Sequence, residues 1–103
     1  MIAKTVLVNE HNYYIVKPDD DVILVDGADI GDINITLPLN GIKTGKIFLI
    51  KNIRSTGYKT IITMSSDSVY FDNNFPSIEL PGFSSCSVIY YNNCYNVLNV
   101  QSI

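Results

Sequence analysis

The 103 residues contain no tryptophan, two alanines, two glutamates and one glutamine. The best helix formers are nearly missing, and no stretch of ten residues keeps a helical apolar period, which argues against a helical fold. Cations are also few. Seven Lys and Arg stand singly against ten Asp and Glu, for a net charge of -3. A protein that grips a duplex needs a cationic face to neutralise phosphates, so no nucleic-acid partner is expected. The mild acidity reads as solubility. No apolar run approaches the roughly 18 residues of a membrane helix, so no membrane partner is expected either. Met1-Ile2-Ala3-Lys4 lacks the cationic start and long apolar run of a secretory leader.

Cysteine is scarce as well: Cys86 and Cys94 are the only two. If Asn92-Asn93 is a two-residue hairpin turn, Tyr91 faces Cys94 and Cys86 faces Asn99. The thiols then lie on opposite faces, too far apart for a disulfide, which needs Cα atoms within about 7 Å. Two free thiols are expected, as in a reducing compartment. Cys-x7-Cys with one distant His is not a metal-ligand spacing.

What the chain has in quantity is β-branched side chains: fifteen Ile, nine Val and six Thr. These are stiff at χ1 and suit a pleated surface. Eleven Asn and seven Tyr push the same way, Asn into turns and Tyr into strands. Apolar segments closed by Gly, Pro, Asn or Asp follow one another at Thr5–Val8, Tyr13–Val16, Val22–Val25, Ile33–Leu37, Lys46–Asn52, Lys59–Met64, Val69–Phe71, Ser77–Leu80, Ser84–Tyr91 and Cys94–Val100. The expected fold is all-β: one small β-sandwich, barrel or β-prism of about nine short antiparallel strands over residues 1–103. Residues 1–12 form an N-terminal strand or arm available for attachment. Ile33, Ile35 and Leu37 share one face. Lys46–Asn52 is the expected central strand. Val22–Val25 and Ile47–Ile50 read as strands buried on both faces, either central in the domain or covered by a neighbouring subunit. No internal repeat at a fixed period is found.

Candidate chemistry is thin. Asp19, Asp20, Asp21, Asp26, Asp29 and Asp32 form an acidic cluster that could offer oxygens to calcium, but the spacing of the twelve-residue calcium loop and its terminal bidentate Glu are missing. Turn-capping Asp is the plainer reading. His11, the only histidine, sits among Asn and Glu in a turn and reads as an exposed loop residue. Gly82-Phe83-Ser84 lacks the second Gly of a nucleophile elbow. Gly41-Ile42-Lys43-Thr44-Gly45-Lys46 lacks the phosphate-loop register and opens a strand. Asn34-Ile35-Thr36 matches the glycosylation acceptor pattern, most simply by chance. The aromatics Tyr13, Tyr14, Tyr58, Tyr70, Phe71, Tyr90, Tyr91 and Tyr95 could stack on sugar rings, or serve as ordinary β-sheet residues. No catalytic, cofactor or metal residues are assigned, and the chain is read as a non-enzyme.

An ordered set of motifs spans about residues 13–100: Tyr14-Ile15-Val16, Asp20-Asp21-Val22-Ile23-Leu24-Val25-Asp26, Ile35-Thr36-Leu37-Pro38, Gly45-Lys46-Ile47, Lys51-Asn52, Thr60-Ile61-Ile62-Thr63, Ser77-Ile78-Glu79-Leu80, and Ser87-Val88-Ile89 through Tyr95-Asn96-Val97-Leu98. This order resembles the small β-domain repeated in fibre, tail and capsid-appendage proteins of phages and large viruses. That family usually carries a Trp in the last hairpin, where this chain has Tyr95, and a Gly at the turn, where it has Asn92-Asn93. The resemblance implies a homotrimeric structural component of a virion, such as a head fibre, tail fibre or capsid decoration. It would be assembled in a host cytoplasm and attached to other virion proteins. The rival expectation is a carbohydrate-binding module acting in adhesion to host-surface glycan. A small enzyme of unusual type would rest only on His11 and the Asp cluster.

Overall fold

A computed structural model describes residues 3–27, 30–55, 57–66, 68–72 and 74–101. Met1 and Ile2 of the expected arm, Asp29 of the acidic cluster, and Thr56, Asp67 and Asn73 of the expected turns lie outside those residues.

The chain is all-β. Among the described residues it forms nine strands: β1 (Thr5–Val8), β2 (Tyr13–Ile15), β3 (Val22–Val25), β4 (Ile33–Leu37), β5 (Ile47–Asn52), β6 (Thr60–Met64), β7 (Ser77–Leu80), β8 (Ser85–Tyr91) and β9 (Cys94–Gln101). They make two open sheets, β1-β3-β5-β8-β9 and β2-β4-β6-β7, here called sheet A and sheet B. Neither sheet closes, so the architecture is neither a barrel nor a three-sheet prism.

The expectation of antiparallel strands is corrected. The pairs β1/β3, β3/β5, β2/β4 and β4/β6 are parallel, and only β5/β8, β6/β7 and β8/β9 are antiparallel. The cause is the order of travel. From β1 to β6 each strand crosses to the opposite sheet, so the chain winds through three coils and every strand meets its predecessor one coil earlier. A hairpin would instead turn back within one sheet. Thr5 lies beside Val22 and Val22 beside Leu49, offsets of 17 and 27 residues. Coils of unequal length explain why no fixed period is visible in the sequence.

The core follows from alternation within each strand. Ile33, Ile35 and Leu37 all point inward and are fully buried, as their spacing predicts. Parallel registers stack like on like: Ile35 on Ile62, Ile23 on Ile50, Val8 on Val25. Burying each such side chain contributes about 1.5–3 kcal/mol. Val69–Phe71, expected as a strand, lies in the connection between β6 and β7. There Phe71 plugs the core, and Asp72 ties to the β9 edge: its N–H donates to Tyr95 O (3.4 Å) and its Oδ1 accepts from Val97 N–H (2.9 Å).

The last hairpin turns at Asn92 and Asn93, with φ of 56° and 64°. Two successive left-handed residues are the two-residue turn whose twist suits a hairpin. Tyr91 faces Cys94 as expected. Cys86 faces Val100 rather than Asn99, because a bulge at Ser87/Val88 shifts the register by one residue. Both thiols are free.

Candidate functional site

The acidic cluster is divided by the fold. Asp19, Asp20 and Asp21 stand where β2 hands over to β3, while Asp26 and Asp32 bracket the β3–β4 connection. The first three are occupied by partners of this chain. Asp20 is fully buried and accepts from Tyr14 Oη (2.6 Å) and from the Lys17 backbone N–H (2.9 Å), which makes it a turn clamp. Lys4 Nζ reaches Asp19 Oδ2 at 3.0 Å and Asp20 Oδ1 at 3.4 Å. Lys46 Nζ reaches Asp21 Oδ1 at 2.7 Å. Hydrogen bonds from Lys4 and Lys46 hold the Asp19 and Asp21 carboxyls below their ordinary value, and the Asp19 contact raises the Lys4 ammonium. Asp32 Oδ1 accepts the Lys59 backbone N–H at 2.8 Å. Among the described residues no three His, Cys, Asp or Glu side chains converge in a way that could hold a metal ion.

His11 is exposed and stands 6.1 Å from the Tyr13 ring, centroid to centroid. The aromatic residues do not gather into one platform. Tyr95 is buried and donates to Pro38 O at 2.6 Å, and Phe71 fills the core. Tyr13, Tyr58, Tyr70 and Tyr91 are exposed, on β2, the β5–β6 connection, the β6–β7 connection and the hairpin tip.

The distinctive surface is the outer face of sheet A. Within the chain, Val22–Val25 and Ile47–Ile50 are buried on one face only, so burial on both faces would need a neighbouring subunit, the second of the two expected covers. In β5, Phe48 and Ile50 are fully buried, but Ile47 and Leu49 are 47% and 41% exposed. β3 is likewise buried at Ile23 and Val25 and only half-buried at Val22 and Leu24. Both strands are central in sheet A, yet one face of each looks outward. The registers set these residues side by side: Val22 beside Leu49, Leu7 beside Leu24, Ile47 beside Ile89. Among the outward positions of the five strands only Lys51 is charged, but β8 and β9 place Ser85, Ser87, Asn96 and Asn99 there, so the apolar part of the face lies over β1, β3 and β5. The outer face of sheet B is mixed: Asn34, Thr36, Thr63, Ser77 and Glu79 stand beside the outward Tyr13, Ile15 and Ile61. The signal for the apolar face was present in the sequence as two uninterrupted apolar runs. What the runs do not reveal is that only one side of each is covered.

A comparison with known proteins finds no matching family model and no similar curated protein.

Proposed function

We propose that the protein is a non-enzymatic structural subunit of a virus particle, a fibre, appendage or capsid-decorating component that assembles in threes and attaches to other virion proteins. The observation that carries this reading is the apolar patch over β1, β3 and β5 on the outer face of sheet A, formed by Leu7, Val22, Leu24, Ile47 and Leu49 with the neighbouring Ile89 of β8. Contiguous exposed apolar patches on soluble proteins mark interaction surfaces, and a face with a single charge suits burial against its own copies. The number three and the virion setting come from the resemblance of the ordered strand motifs. The rival reading is a carbohydrate-binding module acting in adhesion to host-surface glycan; the exposed Tyr13, Tyr58, Tyr70 and Tyr91 favour it, but they lie on four separate elements.

Light scattering on the purified chain tests the assembly. Copies in multiples of three are expected, and Leu49→Lys should dissolve the threefold contact while the strand content stays unchanged. A monomer at 100 µM overturns the reading. Mass spectrometry of the source particle should find the chain in purified virions, and its absence there removes the virion role.

A further inference from the structure

The two ends of the coil are finished differently. At one end, Phe71 plugs the core and Asp72 occupies the outer edge of β9, while β7 lies between Pro76 and Pro81 and carries Glu79. Prolines and charges are what edge strands use to refuse further pairing. At the other end, β1 and β2 are the edges of sheets A and B, side by side on the same coil. Their seven residues, Thr-Val-Leu-Val and Tyr-Tyr-Ile, contain no charge and no proline. The core shows through between them. Val6 and Tyr14 point inward, as Ile23 and Ile35 do one coil later, yet they are only half-buried while Ile23 and Ile35 are fully buried. A groove of about 300 Å³ opens there, lined by Val6, Val8 and Tyr14 together with Asn9, Glu10 and His11 of the β1–β2 connection.

We infer that this end is an interface with a second copy of the chain, joined head to head about a twofold axis. The occupant must supply two strands at once, one for each sheet, and an extended peptide offers only one. The same end of another copy offers both at the right separation. A twofold axis perpendicular to the sheets lays β2 antiparallel on the partner's β2 and β1 on the partner's β1, so both sheets continue across the junction.

The details of β2 suit this pairing. Val16 N–H donates to Thr36 O, and Asn34 N–H donates to Asn12 O. Backbone direction alternates along a strand, so the N–H and C=O groups of Tyr13 and Ile15 face the open edge. With Tyr14 on the axis, Tyr13 of each copy lies opposite Ile15 of the other. These side chains are 61% and 62% exposed, and an aromatic beside a β-branched residue is a favourable cross-strand pair. The same rotation brings Glu10, which precedes β2, close to the other copy's Lys17, which follows it. The charges are opposite, and a parallel arrangement would set like against like.

Sedimentation of the full chain with three variants tests the inference. The wild type is expected as a dimer, or as six copies if the threefold contact of sheet A also forms. Ile15→Glu should halve the mass. Tyr13→Lys combined with Ile15→Glu should restore it, since each Lys then faces a Glu across the junction. In a Cys94→Ser background, Tyr13→Cys with Ile15→Cys should give a covalent dimer on mild oxidation. Both positions are exposed, so strand content by circular dichroism should not change. A wild type of three copies or one, or an unchanged mass for Ile15→Glu, overturns the inference. A dimer alone leaves it standing and counts only against assembly through sheet A.

Discussion

Arg54 Nε donates to Asn52 Oδ1 at 2.9 Å, with both residues buried and two positions apart in the chain. This pair ties the β3–β4 and β5–β6 connections to the end of β7. Asn52 Nδ2 donates to Leu80 O (3.0 Å) and Tyr58 O (3.2 Å). The guanidinium donates to Gly27 O (3.3 Å), Gly31 O and Lys59 O (2.8 Å). The Arg54 side chain is 1% exposed and is the largest fully buried one. Burial lowers its affinity for a proton, and Asp32 and Asp26 offset this in part, so the cation is retained.

Removing that side chain empties a buried volume and takes a charged donor from Gly27 O, Gly31 O, Lys59 O and Asn52 Oδ1, although Gly27 O and Lys59 O keep the backbone N–H groups of Ile30 and Ile33. A hydrogen bond to a charged group contributes about 1.5–3 kcal/mol and the cavity adds to its loss, so Arg54→Ala is expected to destabilise by about 3 kcal/mol or more. Arg54→Lys, with a single ammonium in place of the planar fork, should recover only part of this. Urea unfolding of the three proteins measures the order.

At the hairpin tip, Asn93 holds φ of 64°. Glycine adopts this conformation without a Cβ penalty, and Asn-Gly is the preferred two-residue turn. Asn93→Gly should leave stability unchanged or raise it by about 0.5 kcal/mol, whereas Asn93→Val should cost about 1–2 kcal/mol. The shift in urea midpoint distinguishes them.

Acid should loosen the β2–β3 handover first. The folded protein holds the Asp19 and Asp21 carboxyls below their unfolded value. Their contribution is therefore full above about pH 4 and is lost as the pH falls through the lowered folded values. The thermal midpoint should drop over that range, and Lys46→Met should flatten the drop by removing the Asp21 partner. Salt should weaken the effect, more at the exposed Lys4–Asp19 pair than at the half-buried Lys46–Asp21 pair.

The thiols should differ in reactivity. Burial pushes the Cys86 thiol up to about 12, while Cys94 is half-exposed. One thiol per chain should react with an aromatic disulfide reagent at pH 8, and the second only after denaturation. Two reactive thiols in the native protein would contradict the packing of Cys86.

Much of the local structure is legible in the residues. Thr5–Val8, Val22–Val25 and Ser77–Leu80 are strands at the expected bounds, and Asn92-Asn93 marks its turn. Strand direction is not legible. The connection from Val8 to Tyr13 is as short as a hairpin loop, and nothing in Asn9-Glu10-His11-Asn12 says whether it returns within one sheet or crosses the core. The burial of Arg54 is likewise not legible, because the carbonyls that receive it come from Gly27, Gly31 and Lys59, and its Asn52 partner belongs to a strand end.

Composition and alternation by themselves determined that this protein is all-β, where most strands begin and end, and which side of Ile33–Leu37 faces the core. Those properties depend on neighbours within a few residues. The tertiary structure alone decided that β1 to β6 wind between two sheets, that Arg54 is sealed inside, and that Ile47, Leu49, Tyr13 and Ile15 are left uncovered. Those depend on ladders between residues 17 to 27 positions apart, such as Thr5 with Val22 and Val22 with Leu49, which no local pattern encodes.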